Sequence, residues 1–182
     1  MRIFVAAVPI GTALVIGWMF YHSLNPPPGM PEDVPVVGSA MPQFELPGLL
    51  DEAVITSRDL PQEGAYLINV WASWCFACTV EHPQFVRAQR DGVRIVGVNY
   101  RDQAGDALAW LEEHGNPYET IVSDQTGALV LELGLTGVPE TYLVVDNVVR
   151  YRRIGVVDET VWAEQIAPRL QQAASSQAAV SP

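Results

Sequence analysis

A pair of cysteines separated by two residues, directly after an apolar run, constrains this chain more than any other sequence feature. Cys75 and Cys78 are its only cysteines, and residues 66–71 form a mostly apolar run that suits a strand covered on both faces. A helix that begins at Cys75 would bring the two sulfurs close enough to close a small disulfide ring. The unpaired N–H groups and the positive dipole end of such a helix favour a thiolate at Cys75. The pattern therefore predicts a two-electron exchange site where a strand passes into a helix.

The segments around this site alternate between extended and helical patterns. After the first strand we predict helices over residues 77–90, 104–114, 126–133 and 159–170, and strands over residues 94–98, 141–145 and 148–152. Asp146 and Asn147 separate the last two strands and suit a two-residue hairpin turn. A Cys-x-x-Cys pair in a βαβ pattern is typical of thioredoxin-like redox proteins. We therefore predict an α/β, thioredoxin-like fold in which helices flank a central mixed sheet.

Other interpretations of the cysteine pair stay open on these grounds. A purely structural disulfide would suit a secreted domain, although a bridge between two such close residues constrains little of the chain. A zinc half-site would need two further ligands, and His82 and His114 lack the usual paired spacing. A non-catalytic metal-binding or scaffold module is therefore kept as an alternative to an exchange enzyme.

The N-terminal part of the chain predicts a membrane anchor. Residues 3–21 are 19 residues without a charged side chain, about 28 Å long as a helix, so we predict a transmembrane helix over residues 1–24. A cleavable signal peptide is the alternative, although no small-x-small cleavage triplet follows closely. Arg2 precedes the span and no Lys or Arg follows until Arg58, which by the positive-inside tendency places the N-terminus in the cytoplasm. We therefore expect a single pass through a bacterial inner membrane, with the following domain in the periplasm, where exchangeable cysteines are chemically reasonable.

The remaining boundaries follow from composition. Residues 25–47 carry seven of the fourteen prolines, which favour an extended, semi-stiff chain, and we predict a linker over residues 25–42. The thioredoxin-like domain is then expected over residues 43–172. Residues 173–182 are rich in Ala, Ser and Gln with little to bury, and are predicted to be disordered.

Several motifs together resemble one family within the thioredoxin-like proteins. The segments that carry the resemblance are Asn69-Val70-Trp71-Ala72-Ser73-Trp74-Cys75, Glu81-His82-Pro83, Gly97-Val98-Asn99-Tyr100-Arg101-Asp102, Gly115-Asn116-Pro117-Tyr118 and Gly137-Val138-Pro139-Glu140-Thr141. They are similar to the CcmG/DsbE family, the TlpA-like periplasmic thiol:disulfide interchange proteins of cytochrome c biogenesis. The resemblance runs from about residue 38 to residue 170 and includes the anchored topology.

The resemblance and the chemistry of exchange assign roles around the dithiol. Cys75 is the expected attacking nucleophile, with a partly exposed sulfur, and Cys78 is the resolving thiol that releases the mixed disulfide. Trp74 is expected to lie against the dithiol as an apolar wall, whereas Trp71 is expected in the core. No bound cofactor is expected, because the Cys75–Cys78 disulfide itself carries the electrons.

Four further positions are expected to shape or modulate the site. The family resemblance implies a cis peptide before Pro139, with the backbone of Val138 facing the dithiol, where it can bond an extended substrate segment. Glu81 and Glu140 match acidic positions of the family and would raise a thiol pKa or relay its proton. The alternative for Glu81 is a solvated helix face. Asn69 stands where thioredoxin itself has a buried acid.

The resemblance implies a membrane-anchored dithiol reductant, a disulfide reductase that serves cytochrome c maturation. Electrons would arrive from a membrane donor of the DsbD or CcdA type and leave to apocytochrome c or to a CcmH-like dithiol partner. A broader TlpA-like periplasmic reductase, for example in copper-site assembly, is the nearest alternative. The net charge of −11 argues against a nucleic-acid partner, since phosphate binding needs a basic face.

Overall fold

The computed structural model describes residues 36–51 and 53–178, together with Val15 and Trp18. Main-chain contacts divide the chain into two units, Met1–Val34 and Pro35–Pro182, and the fold described below is that of the second. Apart from Val15 and Trp18, the predicted anchor and the first part of the predicted linker lie outside the described residues. Within the described part, no helix is long and apolar enough to cross a bilayer.

The described strands form a small hairpin and one larger mixed sheet. The strands are β1 (Glu45–Pro47), β2 (Val54–Thr56), β3 (Ala65–Trp71), β4 (Ile95–Tyr100), β5 (Thr120–Asp124), β6 (Glu140–Val145) and β7 (Val148–Ile154). The hairpin pairs β1 with β2, and over the described residues the larger sheet has the order β5-β4-β3-β6-β7. Strands β3, β4 and β5 run parallel to one another. Strand β6 is antiparallel to β3, and β7 is antiparallel to β6. The predicted mixed sheet is confirmed.

Helices connect and cover these strands. They are α1 (Phe76–Arg90), α2 (Ala104–His114), α3 (Ala128–Glu132), α4 (Glu159–Val161), a π-helical turn (Trp162–Ile166) and α5 (Ala167–Ala178). Helix α1 leaves the end of β3 and returns the chain to β4, which is the crossover that a parallel pair needs. The predicted bounds of the first two helices agree with the structure to within one residue.

Strand β3 lies at the centre of the sheet, and its side chains alternate between two apolar clusters. Leu67 and Trp71 belong to the cluster that includes Phe85 of helix α1. Ile68 and Val70 belong to the cluster on the opposite face. Because alternate residues of a strand share a face, every odd-numbered side chain of β3 faces helix α1. This alternation puts position 69 in the same layer as the dithiol helix.

Our sequence analysis missed strand β5 and the β1–β2 hairpin. In β5 only Ile121 and Val122 are apolar, so the run is too short to produce a strand signal. Its last residue, Asp124, instead accepts hydrogen bonds from backbone N–H groups at the start of α3, at Gly127 and Ala128. Strand pairing with β4 and capping of the next helix therefore determine this segment, and neither is visible in local hydrophobicity.

The predicted hairpin between β6 and β7 is confirmed. Asp146 and Asn147 have φ values of 49° and 59°, the left-handed conformation that a two-residue hairpin turn requires. Short polar residues tolerate this conformation best after glycine. The Asp146 carboxylate also accepts the Gly64 N–H at 2.9 Å, which fixes the turn beside the start of β3.

The predicted linker over residues 25–42 ends too late. Val36 and Met41 are buried, and the segment between them pairs with the outer edge of β7. The Gly38 N–H donates to the Val149 carbonyl at 2.7 Å, and the Val149 N–H donates back to Ser39. An open sheet edge leaves main-chain groups unpaired. These contacts explain why a proline-rich sequence is ordered here as part of the domain.

The predicted disorder from residue 173 is also wrong as far as the described residues extend. Helix α5 continues to Ala178, and Ala173 is buried. The Gln177 Nε2 group donates to Asp146 at 3.0 Å, which ties the helix to the hairpin turn. Leu170 of the same helix packs against the apolar cluster that contains Trp71, which attaches the helix to the domain. Residues 179–182 lie outside the described part.

A close approach in the sheet centre depends on one glycine. A Cβ on Gly97 of strand β4 would lie 2.9 Å from the Tyr118 Cγ and 3.1 Å from the Trp71 Nε1. The Trp71 and Tyr118 rings stack with centroids 5.5 Å apart, and Trp71 also stacks on Trp110 at 4.9 Å. Glycine at 97 therefore lets the aromatic side chains pack directly against the strand backbone.

Gly97→Ala should lower the free energy of unfolding by about 1–3 kcal/mol, because the added methyl displaces tightly packed rings. Urea denaturation of the oxidised protein measures the change. Gly105→Ala in helix α2 is the matched control, since nothing lies within 4 Å of a Cβ there. Its stability should be equal or slightly greater. Equal losses in both variants would contradict the close approach.

Candidate active site

The two cysteines occupy the first turn of helix α1. Cys75 is the N-cap residue, with extended backbone at φ −90° and ψ 101°, and its Sγ accepts the Cys78 N–H at 3.1 Å. The sulfurs form a disulfide of 2.10 Å, with the Cα atoms 5.3 Å apart. The predicted helix start at Cys75 is confirmed. A donor aimed at this sulfur also stabilises negative charge on it when the disulfide is reduced.

Both cysteines are more buried in the disulfide than we expected. Cys75 is 5% exposed and Cys78 is 2% exposed, so the residue that we expect to be the nucleophile is the more exposed one by only a small margin. Both belong to the apolar cluster that contains Trp71 and Ala72. These neighbours come from the end of β3 and the loop after it, which explains the low exposure. The disulfide is thus enclosed by apolar side chains on its inner side.

A buried carboxylate holds the loop that precedes the dithiol. Asp102, in the loop after β4, accepts the Ser73 N–H at 2.6 Å and the Ser73 hydroxyl at 2.7 Å. Asn99 donates to the same carboxylate at 2.9 Å. The neighbouring Arg101 has a φ of 45°, and its carbonyl accepts the Trp74 indole N–H at 3.1 Å. Two consecutive residues of one loop therefore fix two consecutive residues of the other.

Trp74 is anchored by its indole N–H but leaves much of its ring in solvent. The side chain is 57% exposed, and its nearest aromatic neighbour is Tyr100, with centroids 6.5 Å apart. Phe76, which starts helix α1, is 84% exposed. Two large apolar side chains thus flank Cys75 in the sequence and face outward. The expected role of Trp74 as an apolar wall stays a prediction.

Glu81 is buried one turn after Cys78, and the alternative of a solvated helix face is wrong. The residue is 1% exposed, with one carboxyl oxygen accepting from Asn69 Nδ2 at 2.8 Å and the other from the Val157 N–H at 2.9 Å. Burial raises its pKa from 4.5 to about 7, against the opposing effects of Val157, Asn69 and the charge of Arg153. A carboxyl with this pKa can both accept and release a proton near neutral pH.

Asn69 connects Glu81 to Tyr118, which packs against Trp71 on the same face of the sheet. The Tyr118 hydroxyl donates to Asn69 Oδ1 at 2.8 Å, while Asn69 Nδ2 lies 3.3 Å from the Thr141 hydroxyl as well as bonding Glu81. All of these side chains are buried. The site therefore keeps an amide where thioredoxin has its buried acid, and places the acid on the helix beside it.

The peptide bond between Val138 and Pro139 is cis, as the resemblance implied. Pro139 immediately precedes strand β6, and Val138 packs against the cluster that contains both cysteines. The segment before the strand is thus brought to the same layer as the dithiol helix. The expected contact of the Val138 backbone with a substrate stays a prediction.

Glu140 is buried like Glu81, but its surroundings are opposite in character. Its carboxylate accepts hydrogen bonds from Thr136, Gly137, Tyr142 and Arg152, with a salt bridge to Arg152 of 2.9 Å. Burial alone would raise its pKa, but the bonds from Arg152, Thr136 and Tyr142 outweigh burial and lower it. Glu140 therefore stays ionised and fixes the loop around the cis peptide. Its expected influence on the thiols stays a prediction.

The two histidines named in the zinc alternative lie near each other but have other contacts. His82 donates through Nε2 to the Gly115 carbonyl at 2.8 Å and packs edge-on against Trp110, with centroids 4.4 Å apart. Burial lowers the pKa of His82, so the ring is neutral at neutral pH. His114 stacks on the same indole. Among the described residues, no three His, Cys, Asp or Glu side chains are grouped as metal ligands would be.

Sequence reasoning named the cysteines, Glu81 and Pro139, which the structure brings into one region, but missed the hydrogen bonds of Asp102 and Tyr118. Both residues belong to segments that we quoted for the family resemblance, yet nothing local to them indicates a partner. Asp102 is 29 residues from Ser73 and Tyr118 is 49 residues from Asn69. For Asp102 the available signal was its position just after β4, next to the residues that follow the parallel strand β3, whereas no comparable signal marks Tyr118.

Glu81→Gln should remove a pH dependence of stability. Between about pH 5 and 7 the folded protein holds a proton on Glu81 that the unfolded chain has lost, because the pKa rises from 4.5 to about 7 on folding. The free energy of unfolding should therefore fall as pH rises through this range, by on the order of 3 kcal/mol. The variant should show a flatter profile in urea denaturation of the oxidised protein.

Glu119→Gln is the control for this experiment. Glu119 is half exposed and paired with Arg94 at 2.9 Å, which lowers its pKa. Its variant should keep the decline between pH 5 and 7. A decline of the same size in Glu81→Gln would show that another group causes it.

Comparison with known proteins identifies the family. Residues 36–167 match the Redoxin family. The thiol:disulfide interchange protein DsbE of Pseudomonas aeruginosa is 41% identical over 168 residues, which cover 91% of this chain and 92% of that one. DsbE of Escherichia coli is 39% identical over 135 residues, 73% of each chain.

Solved structures agree with this assignment. A putative DsbE from Chlorobium tepidum superposes with a TM-score of 0.60 at 26% identity, covering 76% of this chain and 96% of that one. A disulfide oxidoreductase of Mycobacterium tuberculosis, at 16% identity and a TM-score of 0.59, shares the fold. The thioredoxin-like fold and the redox role of the cysteine pair are thereby established. This chain belongs to the DsbE family of thiol:disulfide interchange proteins, and the Cys75–Cys78 disulfide is the redox-active group of a thiol-disulfide oxidoreductase.

Proposed function

We propose that this protein is a membrane-anchored dithiol reductant of the bacterial periplasm that serves cytochrome c maturation. The observation that carries the reductant assignment is the buried carboxyl of Glu81, one turn after Cys78 on helix α1. The membrane anchor and the compartment are supported by the uncharged run over residues 3–21 and by the single basic residue before it.

Two opposing effects act on the reduced cysteines. The N-cap position of Cys75 stabilises a thiolate, which by itself makes the disulfide a stronger oxidant. A carboxyl that ionises near pH 7 beside Cys78 opposes thiolate formation by charge repulsion. The two arginines of helix α1, Arg87 and Arg90, lie in its last turn, at the opposite end from the cysteines. Weak stabilisation of the reduced pair is the property that makes a dithiol a good electron donor.

The exchange proceeds in two steps with the electrons balanced. The Cys75 thiolate attacks a disulfide of the substrate, forms a mixed disulfide and displaces one substrate thiolate. Cys78 then loses its proton, with Glu81 as the proposed acceptor, and attacks the Cys75 sulfur. The substrate leaves as a dithiol that has gained two electrons, and the protein is left in the disulfide form described here.

The substrate segment is proposed to lie along Val138 and the exposed apolar side chains. Val138 packs against the cluster that contains the dithiol, while Trp74 and Phe76 expose large apolar faces beside Cys75. An extended backbone next to Val138 would gain main-chain hydrogen bonds, and the aromatic faces would shield the exchanging sulfurs from water. Glu140 and Arg152 hold the Val138 segment in place.

The proposed partners follow from the chemistry of haem attachment. Apocytochrome c must present free thiols in a Cys-x-x-Cys-His segment, so an oxidising compartment needs a local reductant. This protein would reduce apocytochrome c or a CcmH-like dithiol partner, and would be re-reduced by a membrane donor of the DsbD or CcdA type. The DsbE names of the relatives support this placement.

Cys78→Ser should trap the substrate as a mixed disulfide, because the resolving sulfur that would attack Cys75 and release the product is absent. Non-reducing electrophoresis of membranes after acid quenching would show the adduct, which added dithiothreitol should release. Cys75→Ser keeps one cysteine but lacks the attacking sulfur, and should form no adduct. Equal adducts in both variants, or none in either, would contradict the assigned order of attack.

Deletion of the gene should abolish c-type cytochromes, and an added thiol reductant should restore them. Haem staining of membrane proteins measures the loss, with the intact gene and the Cys75→Ser variant as positive and negative complementation controls. Intact cytochromes in the deletion strain would reject the cytochrome role and favour a broader periplasmic reductase.

A reduction potential near about −120 mV, measured against glutathione buffers, would reject the reductant direction.

A further inference from the structure

A buried chain of hydrogen bonds leads away from Glu81 through two residues that exchange chemistry does not use. Tyr118 lies before strand β5, and Asn69 lies in the middle of strand β3. The Tyr118 hydroxyl and Asn69 Oδ1 are 2.8 Å apart, and Asn69 Nδ2 and Glu81 Oε1 are also 2.8 Å apart. The chain connects a phenol to the titrating carboxyl across the central strand.

The direction of these hydrogen bonds matters because the two ends of an amide differ. The carbonyl end of Asn69 only accepts, and the N–H₂ end only donates. Burial, and next the charge of Glu81, raise the pKa of Tyr118 well above its usual value, so the phenol keeps its proton. A hydroxyl that donates to Oδ1 leaves the N–H₂ end facing Glu81. A donor favours the ionised carboxylate, whereas a carbonyl in that place would favour the protonated acid.

Ring stacking and a backbone hydrogen bond restrict where the Tyr118 ring, and therefore its hydroxyl, can lie. It stacks on Trp71 with an interplanar angle of 14°, and the absence of a side chain at Gly97 lets it lie 2.9 Å from where a Cβ would be. The Asn116 side chain accepts the Tyr118 N–H at 2.9 Å, which fixes the backbone as well. The geometry is that of a rigid support for Asn69.

We propose that Tyr118 and Asn69 are positioning residues of the exchange site. The Tyr118 hydroxyl holds the Asn69 amide with its N–H₂ toward Glu81, which keeps the Glu81 carboxyl able to give up and take back a proton beside the dithiol. The consequence for thiol exchange rests on the proposed function, in which Glu81 accepts the proton of Cys78. The orientation of Asn69 itself does not depend on that role.

Other groups that face Glu81 come from the opposite side. The Val157 N–H donates to Oε2, and the positive charge of Arg153 on strand β7 also favours the carboxylate. The dithiol and the neutral His82 lie on the same helix as Glu81. Among the described residues, none of these groups is hydrogen-bonded to the Tyr118 hydroxyl, so a change at that hydroxyl leaves their contacts with Glu81 in place.

The first experiment removes only the phenol oxygen. In Tyr118→Phe the Glu81 pKa should rise by about half a unit or more, because the amide loses the hydroxyl that holds its carbonyl end and keeps only the longer Thr141 contact at its N–H₂ end. The measurement is a pH titration of the Glu81 carboxyl carbon by ¹³C NMR in the oxidised full-length protein. Tyr151→Phe is the matched control, since the Tyr151 hydroxyl donates to Gln165 at 2.6 Å and should leave Glu81 unchanged. An unchanged or lower Glu81 pKa in Tyr118→Phe would overturn the proposal.

A double-variant cycle tests whether Tyr118 acts through Asn69. Asn69→Ala should also raise the Glu81 pKa, because it removes the donor directly. Combining it with Tyr118→Phe should then give no further rise, since the intermediary is gone. Additive shifts would mean that the hydroxyl acts on Glu81 without the amide, and would overturn the positioning role.

The pH dependence of thiol exchange separates this inference from the proposed function. If Glu81 serves Cys78, the pH profile for release of the mixed disulfide should move with the Glu81 pKa in Tyr118→Phe. A raised Glu81 pKa together with an unchanged pH profile of mixed-disulfide release would reject Glu81 as the proton acceptor. The same result would support the orientation of Asn69. An unmoved Glu81 titration rejects the positioning role whatever the exchange profile does.

Discussion

The hydrogen bond between Asn69 and Glu81 joins the central strand to the dithiol helix, and much of the site depends on it. It can form only because side chains alternate along β3 and put position 69 in the layer of helix α1. It also requires the carboxyl to leave water, which costs free energy unless both oxygens find donors. The second donor, the Val157 N–H, comes from the segment between β7 and the C-terminal helices. One buried acid thus draws together the strand, the helix and the end of the sheet.

The two buried glutamates show how surroundings rather than residue type decide a chemical role. Glu81 has two neutral donors and a raised pKa, so it can exchange a proton near neutral pH. Glu140 has an arginine and several further donors and a lowered pKa, so it keeps its charge and holds a loop. Environments that push the pKa values of two acids apart commonly separate a proton-transfer group from a structural one. The same amino acid is therefore a titratable buried group on the dithiol helix and a charged buried group beside the cis peptide.

Much of this arrangement could be predicted from the sequence, and the reasons for the failures are physical. The strand before Cys75, the helix start and the hairpin at Asp146 each follow from local pattern, because a short stretch of chain determines them. Strand β5 has only two apolar residues and depends on pairing with β4, so local hydrophobicity did not indicate it. The burial of Glu81 was equally invisible, since its partners are 12 and 76 residues away in the chain. Composition also misjudged both ends of the domain, where neighbouring surfaces order segments that have little to bury by themselves.

The coverage of the sheet edges restricts how another protein can engage this domain. Residues 38–41 pair with the outer side of β7, and on the other side Gly48 bridges to Val122 of β5. At these positions the main-chain groups of both edges are already hydrogen-bonded within the chain, which disfavours addition of a strand from a neighbouring copy there. A neighbouring copy would have to displace residues 38–41 or Gly48 before its own main chain could hydrogen-bond at those positions.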